Sequence, residues 1–251
     1  MHLQPRQPAR RTARAALLGV AALAAALLAG PSAAVAADPV APTLAITASR
    51  ATILWGEGVD IMVHLEAPGG SQVSVANRTI HVQVAREHTP DAFTTIAPGG
   101  DVVTDASGNA TIAGYTPATN LWYRAVLDAS ADVGAATSAD TRVTVRQLAL
   151  ITPDGGGTVK AITKGTTVEF RTKVRPARDD VPRTHVTWQI WRVVNNRWTL
   201  FSTQLSDPDV AGNAYLTITF NTGRWFVRSQ AMPTQLNANS VWTPGQYYDV
   251  K

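Results

Sequence analysis

Four histidines, His64, His81, His88 and His185, are the side chains best suited to acid–base or metal chemistry after the N-terminal segment. His64 and His81 occupy outward positions on strands that we expect in opposite sheets, so these two cannot share a metal ion. A serine hydrolase needs its nucleophile on a strained turn such as G-x-S-x-G, and the sequence contains no such motif. The sequence therefore predicts no catalytic residue, no cofactor and no metal site, and it indicates that the protein is not an enzyme.

Two further segments match known chemistry only in part. The turn Asp207-Pro208-Asp209-Val210-Ala211-Gly212 resembles a calcium loop, but Ala211 and Ile218 stand where oxygen ligands are required. Lys173 faces outward by strand parity, whereas a lysine–asparagine cross-link needs a buried lysine beside a carboxylate. We therefore expect a polar turn at the first segment and a solvated lysine at the second.

Tryptophans are concentrated in the second half of the chain, which holds five of the seven. Strand parity puts Trp188 and Trp225 in a core. The opposite, exposed face would carry Gln189, Trp191, Phe226, Arg228 and Tyr247. An aromatic surface with a basic rim suits a sugar ring, a peptide or another domain. The alternative is an ordinary cross-strand ladder. A weaker version of the set in the first half favours that alternative, and its members are Gln83, Trp122, Arg124 and Arg142.

The segments that carry these residues have a hydrophobic period of two. Val59, Ile61, Val63 and Leu65 are apolar and alternate with outward positions, and Val186, Trp188 and Ile190 follow the same rule. This alternation is typical of strands with one face in a core and one face in water. Turn signals such as 98–100, 105–108 and 179–180 separate the runs, and no helical period follows the N-terminal segment. We predict an all-β fold.

The chain also contains an internal repeat. Leu44-Ala45-Ile46 recurs as Leu148-Ala149-Leu150, and Gly108-Asn109-Ala110 recurs as Gly212-Asn213-Ala214, both at an offset of 104. Arg124 recurs as Arg228 at the same offset. About seven short strands in each repeat favour a sandwich with Greek-key connections. We predict one domain at 37–146 and a second at 147–251, with strands running almost directly from one into the other.

Each half resembles the bacterial immunoglobulin-like repeats of secreted and surface proteins. The resemblance lies in a glycine that leads into the second strand, an aromatic residue after the next strand, a Gly-x-Ala turn, and an aromatic strand that carries an arginine. These features are Gly58 and Gly165, Phe93 and Trp198, Gly108 and Gly212, and Trp122-Tyr123-Arg124 and Trp225-Phe226-Val227-Arg228. The resemblance implies two tandem immunoglobulin-like Greek-key β-sandwiches that act as spacers, adhesin stalks or binding units.

The N-terminal segment 1–36 has the features of a signal peptide. A basic region with four arginines precedes the apolar run 15–30, and Ala34 and Ala36 occupy the small-residue positions of a cleavage site. After cleavage the chain has 18 basic and 18 acidic residues, so its net charge does not favour nucleic acid. The charge is uneven, with −5 on residues 37–146 and +5 on residues 147–251.

These observations predict a secreted, non-catalytic binding or spacer protein that is extracellular or acts at the bacterial cell envelope, with a role such as adhesion. The alternative is a carbohydrate-binding accessory protein that uses the aromatic face of the second domain. The expected partner is an extracellular protein or an envelope glycan. We expect no nucleic-acid partner and no membrane insertion after cleavage. Weak, salt-sensitive self-association between oppositely charged halves is a further expectation.

Overall fold

The structure is a computed structural model that describes residues 38–153, 157–177 and 184–251. The predicted signal segment 1–36, its cleavage residues Ala34 and Ala36, and the predicted turn Asp179-Asp180 lie outside the described residues. No helix in the described ranges has the length and apolar character needed to span a membrane.

The first half of the described chain forms a sandwich of two sheets. Its strands in chain order are β1 (Thr43–Ala48), β2 (Thr52–Leu54), β3 (Val59–Glu66), β4 (Thr79–Ala85), β5 (Thr94–Thr95), β6 (Asp101–Val103), β7 (Asn109–Tyr115), β8 (Leu121–Leu127), β9 (Ala136–Thr137) and β10 (Thr141–Arg146). One sheet has the order β1-β3-β7. The other has the order β2-β10-β8-β4-β5, with β6 also on β4 and β9 on β8. A short 3-10 helix, Pro90–Ala92, precedes β5.

The second half forms another sandwich. Its strands are β11 (Leu148–Thr152), β12 (Val159–Ile162), β13 (Thr167–Arg175), β14 (Val186–Val194), β15 (Arg197–Ser206), β16 (Asn213–Thr219), β17 (Gly223–Ala231) and β18 (Gln246–Val250). The small sheet has the order β11-β13-β16, and the large sheet has the order β12-β18-β17-β14-β15.

The two halves repeat one topology. The order β11-β13-β16 corresponds to β1-β3-β7, and β12-β18-β17-β14-β15 corresponds to β2-β10-β8-β4-β5. Chain neighbours lie in different sheets at several points, as Greek-key connections require. The predicted fold class is confirmed, since the chain forms two tandem immunoglobulin-like β-sandwiches. Positions in the two halves can therefore be compared strand by strand.

The inward positions of the alternating segments fill two separate cores. In the first core Val59, Ile61, Val63 and Leu65 are all at most 2% exposed, as their period of two predicts. The second core is more aromatic, and its largest buried side chains are Phe170, Trp188 and Phe220, each 0% exposed. The ring of Phe170 makes edge contacts with Phe220 and Tyr248, at centroid distances of 6.3 and 5.9 Å.

Trp188 and Trp225 point inward as predicted, at 0% and 4% exposed. The indole N–H of Trp188 donates to the Ser206 hydroxyl at 2.8 Å, and that of Trp225 donates to the Asn221 carbonyl at 2.8 Å. Both buried N–H groups are thus satisfied, which avoids the cost of an unpaired buried donor.

The junction between the sandwiches is short and hydrogen-bonded. Gln147 separates β10 from β11 and is 2% exposed. Its N–H donates to the Ala238 carbonyl at 3.0 Å, and the Ala238 N–H donates to the Val145 carbonyl at 3.0 Å. The N–H of Asn120 also donates to the Leu236 carbonyl at 2.7 Å. The β17–β18 loop, residues 232–245, therefore contacts both the junction and the first sandwich.

Candidate functional site

The outer face of the large sheet in the second sandwich carries a row of apolar side chains. Trp191 on β14 lies opposite Phe226 on β17, and Phe226 lies opposite Tyr247 on β18. The row continues to Leu200 on β15 and to Val159 on β12. Directly opposed residues share one face of a sheet and interact with each other. The five residues therefore form one continuous row across five strands.

The aromatic rings in this row contact one another. Phe226 and Tyr247 have centroids 4.6 Å apart with an interplanar angle of 32°. Trp198 leans over the pair, with its centroid 6.1 Å from that of Phe226 and 5.9 Å from that of Tyr247. Together with Trp191 and Arg228, these side chains line an open depression of about 230 Å³. We call this surface, with the adjacent Gln189, the aromatic face.

Arg228 occupies a fixed position at the edge of the depression. Its Nε donates to the Gln189 side-chain oxygen at 2.8 Å. Its guanidinium carbon lies 4.5 Å from the ring centroid of Trp242 and 5.7 Å from that of Trp191. Two indole rings therefore hold the guanidinium plane by cation–π contacts. No described residue accepts a hydrogen bond from its terminal nitrogens, so these donors are available to an anionic or carbonyl group of a ligand.

A glycine beneath the face sets the position of Phe226. Gly245 has φ = 80°, in the left-handed region that favours glycine. A Cβ at this residue would lie against the Phe226 ring, 2.6 Å from Cζ, and 2.9 Å from the Val227 carbonyl oxygen. The Phe226 ring thus packs directly over the Gly245 backbone. The β17–β18 loop supports the face from below through Gly245 and from the side through Trp242.

All five residues predicted for this surface lie on one face, but their side chains are less exposed than the sequence suggested. Each is half-buried. Trp198 packs against Phe226 and Tyr247, and Trp242 packs against Arg228. The indole nitrogen of Trp191 is buried and has no hydrogen-bond partner among the described residues. Sequence reasoning did not place Trp198, Trp242 or Gly245 at this surface. Trp198 had a signal in its repeat match to Phe93, whereas Trp242 and Gly245 lie in a loop that has no period.

The corresponding face of the first sandwich, the counterpart face, carries Gln83, Trp122, Arg124 and Arg142. Arg124 stacks on Phe93 with its guanidinium carbon 3.5 Å from the ring centroid. His88 stacks on Trp122 with centroids 3.9 Å apart. Asp140 accepts a hydrogen bond from His88 at 2.8 Å. The rings of the counterpart face are therefore covered by side chains of the same sandwich.

The remaining candidates for chemistry are structural or solvated. His64 on β3 and His81 on β4 lie in different sheets, as predicted. His81 contacts Asp101 at 2.7 Å and Asp128 at 3.4 Å, and the hydrogen bond to Asp101 raises the pKa of His81. No group of three or more potential ligand side chains arranged for a metal ion occurs within residues 38–153, 157–177 and 184–251.

The segment that resembles a calcium loop is a polar turn. One Asp209 carboxylate oxygen accepts hydrogen bonds from the N–H groups of Ala211 and Asn213, both at 2.9 Å. Asp105 in the first sandwich accepts the same two bonds, from Ser107 at 2.8 Å and Asn109 at 2.9 Å. This aspartate turn is thus a repeated structural element. Lys173 is half-buried on β13, at an outward position.

Comparisons with known proteins concern the fold. No known protein family matches the sequence, and no curated protein does. The chain is similar to the chicken interferon gamma receptor alpha chain, with 8% identity, a TM-score of 0.42, and coverage of 84% of this chain and 98% of the receptor chain. It is also similar to the N-terminal four immunoglobulin domains of Dscam1 isoform 8.4, with 13% identity, a TM-score of 0.36, and coverage of 86% and 47%.

A third similar structure is trypsin-activated alpha-2-macroglobulin from Escherichia coli, with 11% identity and a TM-score of 0.30. The alignment covers 83% of this chain and only 15% of that protein. The class of the present protein, a tandem immunoglobulin-like protein, rests on the strand order of its two sandwiches. Similarities of this size carry no information about its ligand.

Proposed function

We propose that the protein is a secreted, non-catalytic binding protein that acts at or near the bacterial cell envelope. Its sandwiches would belong to the bacterial immunoglobulin-like repeats of secreted and surface proteins, and the aromatic face would be its binding surface. The observation that carries the proposal is the continuous row of Trp191, Phe226 and Tyr247, with Trp198 above it. Aromatic residues and arginine are the side chains that dominate binding energies at protein surfaces.

The charge around the face favours an anionic or strongly polar partner. Arg228 contributes free donors, and Arg224 lies with its guanidinium carbon 5.9 Å from the Trp198 ring centroid. Residues 147–251 carry a net charge of +5 in the sequence. An acidic envelope glycan or an acidic extracellular protein fits this surface, because opposite charges steer association and fix orientation.

A second candidate function is that of a carbohydrate-binding accessory protein. The open depression of about 230 Å³ favours it, since its walls include the rings of Trp191, Trp198, Phe226 and Tyr247. A sugar ring has apolar faces that pack on aromatic rings and hydroxyl groups that accept hydrogen bonds from arginine.

The binding proposal is tested by retention of the exported chain on cell-envelope fractions. Trp198→Ala removes an aromatic side chain of the face that is 41% exposed. The matched control is Tyr215→Ala, which removes an aromatic side chain that is 47% exposed on β16 of the other sheet. We expect Trp198→Ala to weaken retention by about tenfold, or about 1.4 kcal/mol, and the control to leave it unchanged. Equal retention of all three proteins would contradict the proposal.

The same assay separates the two candidate functions. Envelope fractions treated with protease keep their glycans, and fractions treated with glycan-degrading enzymes keep their proteins. Retention that survives protease treatment supports the carbohydrate-binding function, whereas retention that is lost after protease treatment supports a protein partner.

Export is tested separately by N-terminal sequencing of the protein from culture medium. We expect the exported chain to begin at Ala37 or Asp38, because Ala34 and Ala36 meet the requirement of the signal peptidase for small residues. An intact Met1 in a membrane fraction would contradict the proposed processing.

A further inference from the structure

The strand β15 forms one edge of the large sheet in the second sandwich. It has ten residues, Arg197–Ser206, and among the described strands it pairs only with β14. From Trp198 to Ser206 it contains no charged residue and no proline. Four of its apolar side chains are between 41% and 66% exposed, namely Trp198, Leu200, Phe201 and Leu205. A long, apolar edge strand is a template for pairing with another strand.

The first sandwich does not have such an edge. At the same position β4 pairs with β5 over two residues and with β6 over three. Pro98 lies between β5 and β6. The carbonyl of Gly100 accepts a hydrogen bond from the Val82 N–H at 2.7 Å, so the backbone at Gly100 is paired with β4. Asp101 adds a charge at the edge. Proline, charge and short strands protect sheet edges from pairing. In contrast, β15 is long, and it has no proline and no charged residue along nine of its ten residues.

The positions of the outward-facing side chains on β15 are set by a β-bulge. The outer face of β14 carries Thr187, Gln189, Trp191 and Val193, and their partners on β15 are Leu205, Thr203, Leu200 and Trp198. The pairing shifts between Ile190 and Trp191, so that Phe201 is an extra residue on β15. Phe201 contacts the core residue Trp225, with centroids 5.1 Å apart, and therefore lies on the inner side.

This bulge gives the edge a self-complementary pattern. The outward positions 198, 200, 203 and 205 are symmetric about the point between Phe201 and Ser202. In an antiparallel pair with its twofold axis at that point, Trp198 lies opposite Leu205 of the second copy, and Leu200 lies opposite Thr203 of the second copy. Outward residues then meet only outward residues. We propose that β15 pairs in this register with β15 of a second copy of the chain.

The pairing would join two large sheets into one sheet of ten strands. Arg197, the only charged residue of the strand, would lie opposite Ser206 of the second copy, so like charges would not be opposed. The aromatic faces of the two copies would lie side by side on one surface, which doubles the ligand sites presented in one direction. Because both second sandwiches are basic, added salt would strengthen this dimer. Association between oppositely charged halves would instead weaken with salt.

Sedimentation of the full exported chain tests the proposal. Leu205→Lys places a charge on the edge, and Leu150→Lys makes the same change at a leucine that is 54% exposed on the small sheet. We expect the wild type and Leu150→Lys to dimerise with the same dissociation constant, and Leu205→Lys to dimerise at least tenfold more weakly. A wild-type chain that stays monomeric up to millimolar concentration, or two lysine variants that behave alike, would overturn the proposal.

Cysteine cross-linking tests the register, because the chain has no cysteine of its own. An oxidised mixture of Leu200→Cys and Thr203→Cys chains should form disulfide-linked dimers, because these residues are directly opposed in the proposed pair. Either variant alone should not form them, since identical positions would be three residues, or about 10 Å, apart along the strands. Absence of cross-linking in the mixture, or equal cross-linking of the single variants, would overturn the register.

Discussion

The two sandwiches share one topology, but the side chains on the equivalent outer faces make different contacts. In the first sandwich, the guanidinium carbon of Arg124 on β8 lies 3.5 Å from the Phe93 ring centroid, and His88 stacks on Trp122 with ring centroids 3.9 Å apart. In the second, the equivalent arginine of β17, Arg228, stands between two indole rings, with Gln189 as its partner. In the first face His88 covers the Trp122 ring, whereas in the second the rings of Trp191, Trp198, Phe226 and Tyr247 line an open depression.

Under the proposed function, the second copy of the repeat provides the binding surface and the first copy has a structural role. The two cores also differ in composition, and the second is again the more aromatic. The first core is mainly aliphatic, whereas the second packs Phe170, Trp188, Phe220 and Trp225 together. Aromatic cores provide large rigid surfaces, and in the second sandwich they support the strands that carry the aromatic face.

Loss of the tryptophan at the centre of the second core should destabilise the protein more than any other change considered below. Trp188→Ala removes a fully buried indole and its hydrogen bond to Ser206, so we expect the free energy of unfolding to fall by about 3–5 kcal/mol. Val82→Ala, at the matching position of the first core, should cost about 2 kcal/mol. Urea denaturation of both variants measures the difference. If Trp191→Ala were more destabilising than Trp188→Ala, the assignment of inner and outer faces would be wrong.

A substitution at Gly245, below the aromatic face, should destabilise the protein less than Trp188→Ala. Gly245→Ala should destabilise the protein by about 1–3 kcal/mol, because the new Cβ would collide with the Phe226 ring and the residue has a positive φ. It should also displace Phe226 from Tyr247 and weaken ligand retention. Thermal unfolding and the envelope assay measure the two effects. Gly165→Ala is the control, since this glycine has φ = 85° but no atom near the new Cβ. Equal losses in both variants would mean that backbone strain alone is responsible.

The stability of the first sandwich should depend weakly on pH through His81. The hydrogen bond to Asp101 raises the pKa of His81, and the charge of Asp128 acts in the same direction against partial burial. The stabilisation is fully present below the unfolded-state pKa of about 6.5 and is lost as pH rises through the higher folded-state value. The first sandwich of the wild type should therefore gain stability from pH 8 to pH 6, and His81→Gln should not show this gain. An identical pH dependence of both proteins would remove His81 as the cause.

Strand parity allowed much of this arrangement to be predicted. The period of two placed Trp188 and Trp225 inside and Trp191, Phe226 and Tyr247 on one outer face, because side chains alternate along a strand regardless of sequence detail. The internal repeat indicated that Arg124 and Arg228 occupy equivalent positions. These features depend on local periodicity, which a single sequence shows directly.

The details that distinguish the two faces could not be predicted in this way. Trp242 reaches Arg228 from the β17–β18 loop, which has no period, and the close contact of Gly245 with Phe226 depends on the path of that loop. The bulge at Phe201 shifts the parity of half of β15, and the sequence shows there only two adjacent apolar residues. The predicted face is half-buried because of these tertiary contacts.

The indole N–H signals of the seven tryptophans test directly whether the second sandwich binds through its aromatic face and the first does not. Each signal can be assigned in a 15N–1H spectrum by a single Trp→Phe variant. On addition of soluble envelope glycan fragments or an extracted envelope protein, we predict that the signals of Trp191, Trp198 and Trp242 shift, while those of Trp55 and Trp122 stay in place. Shifts confined to Trp122, or no shift at any tryptophan with material that retains the protein, would mean that the aromatic face is not the binding surface.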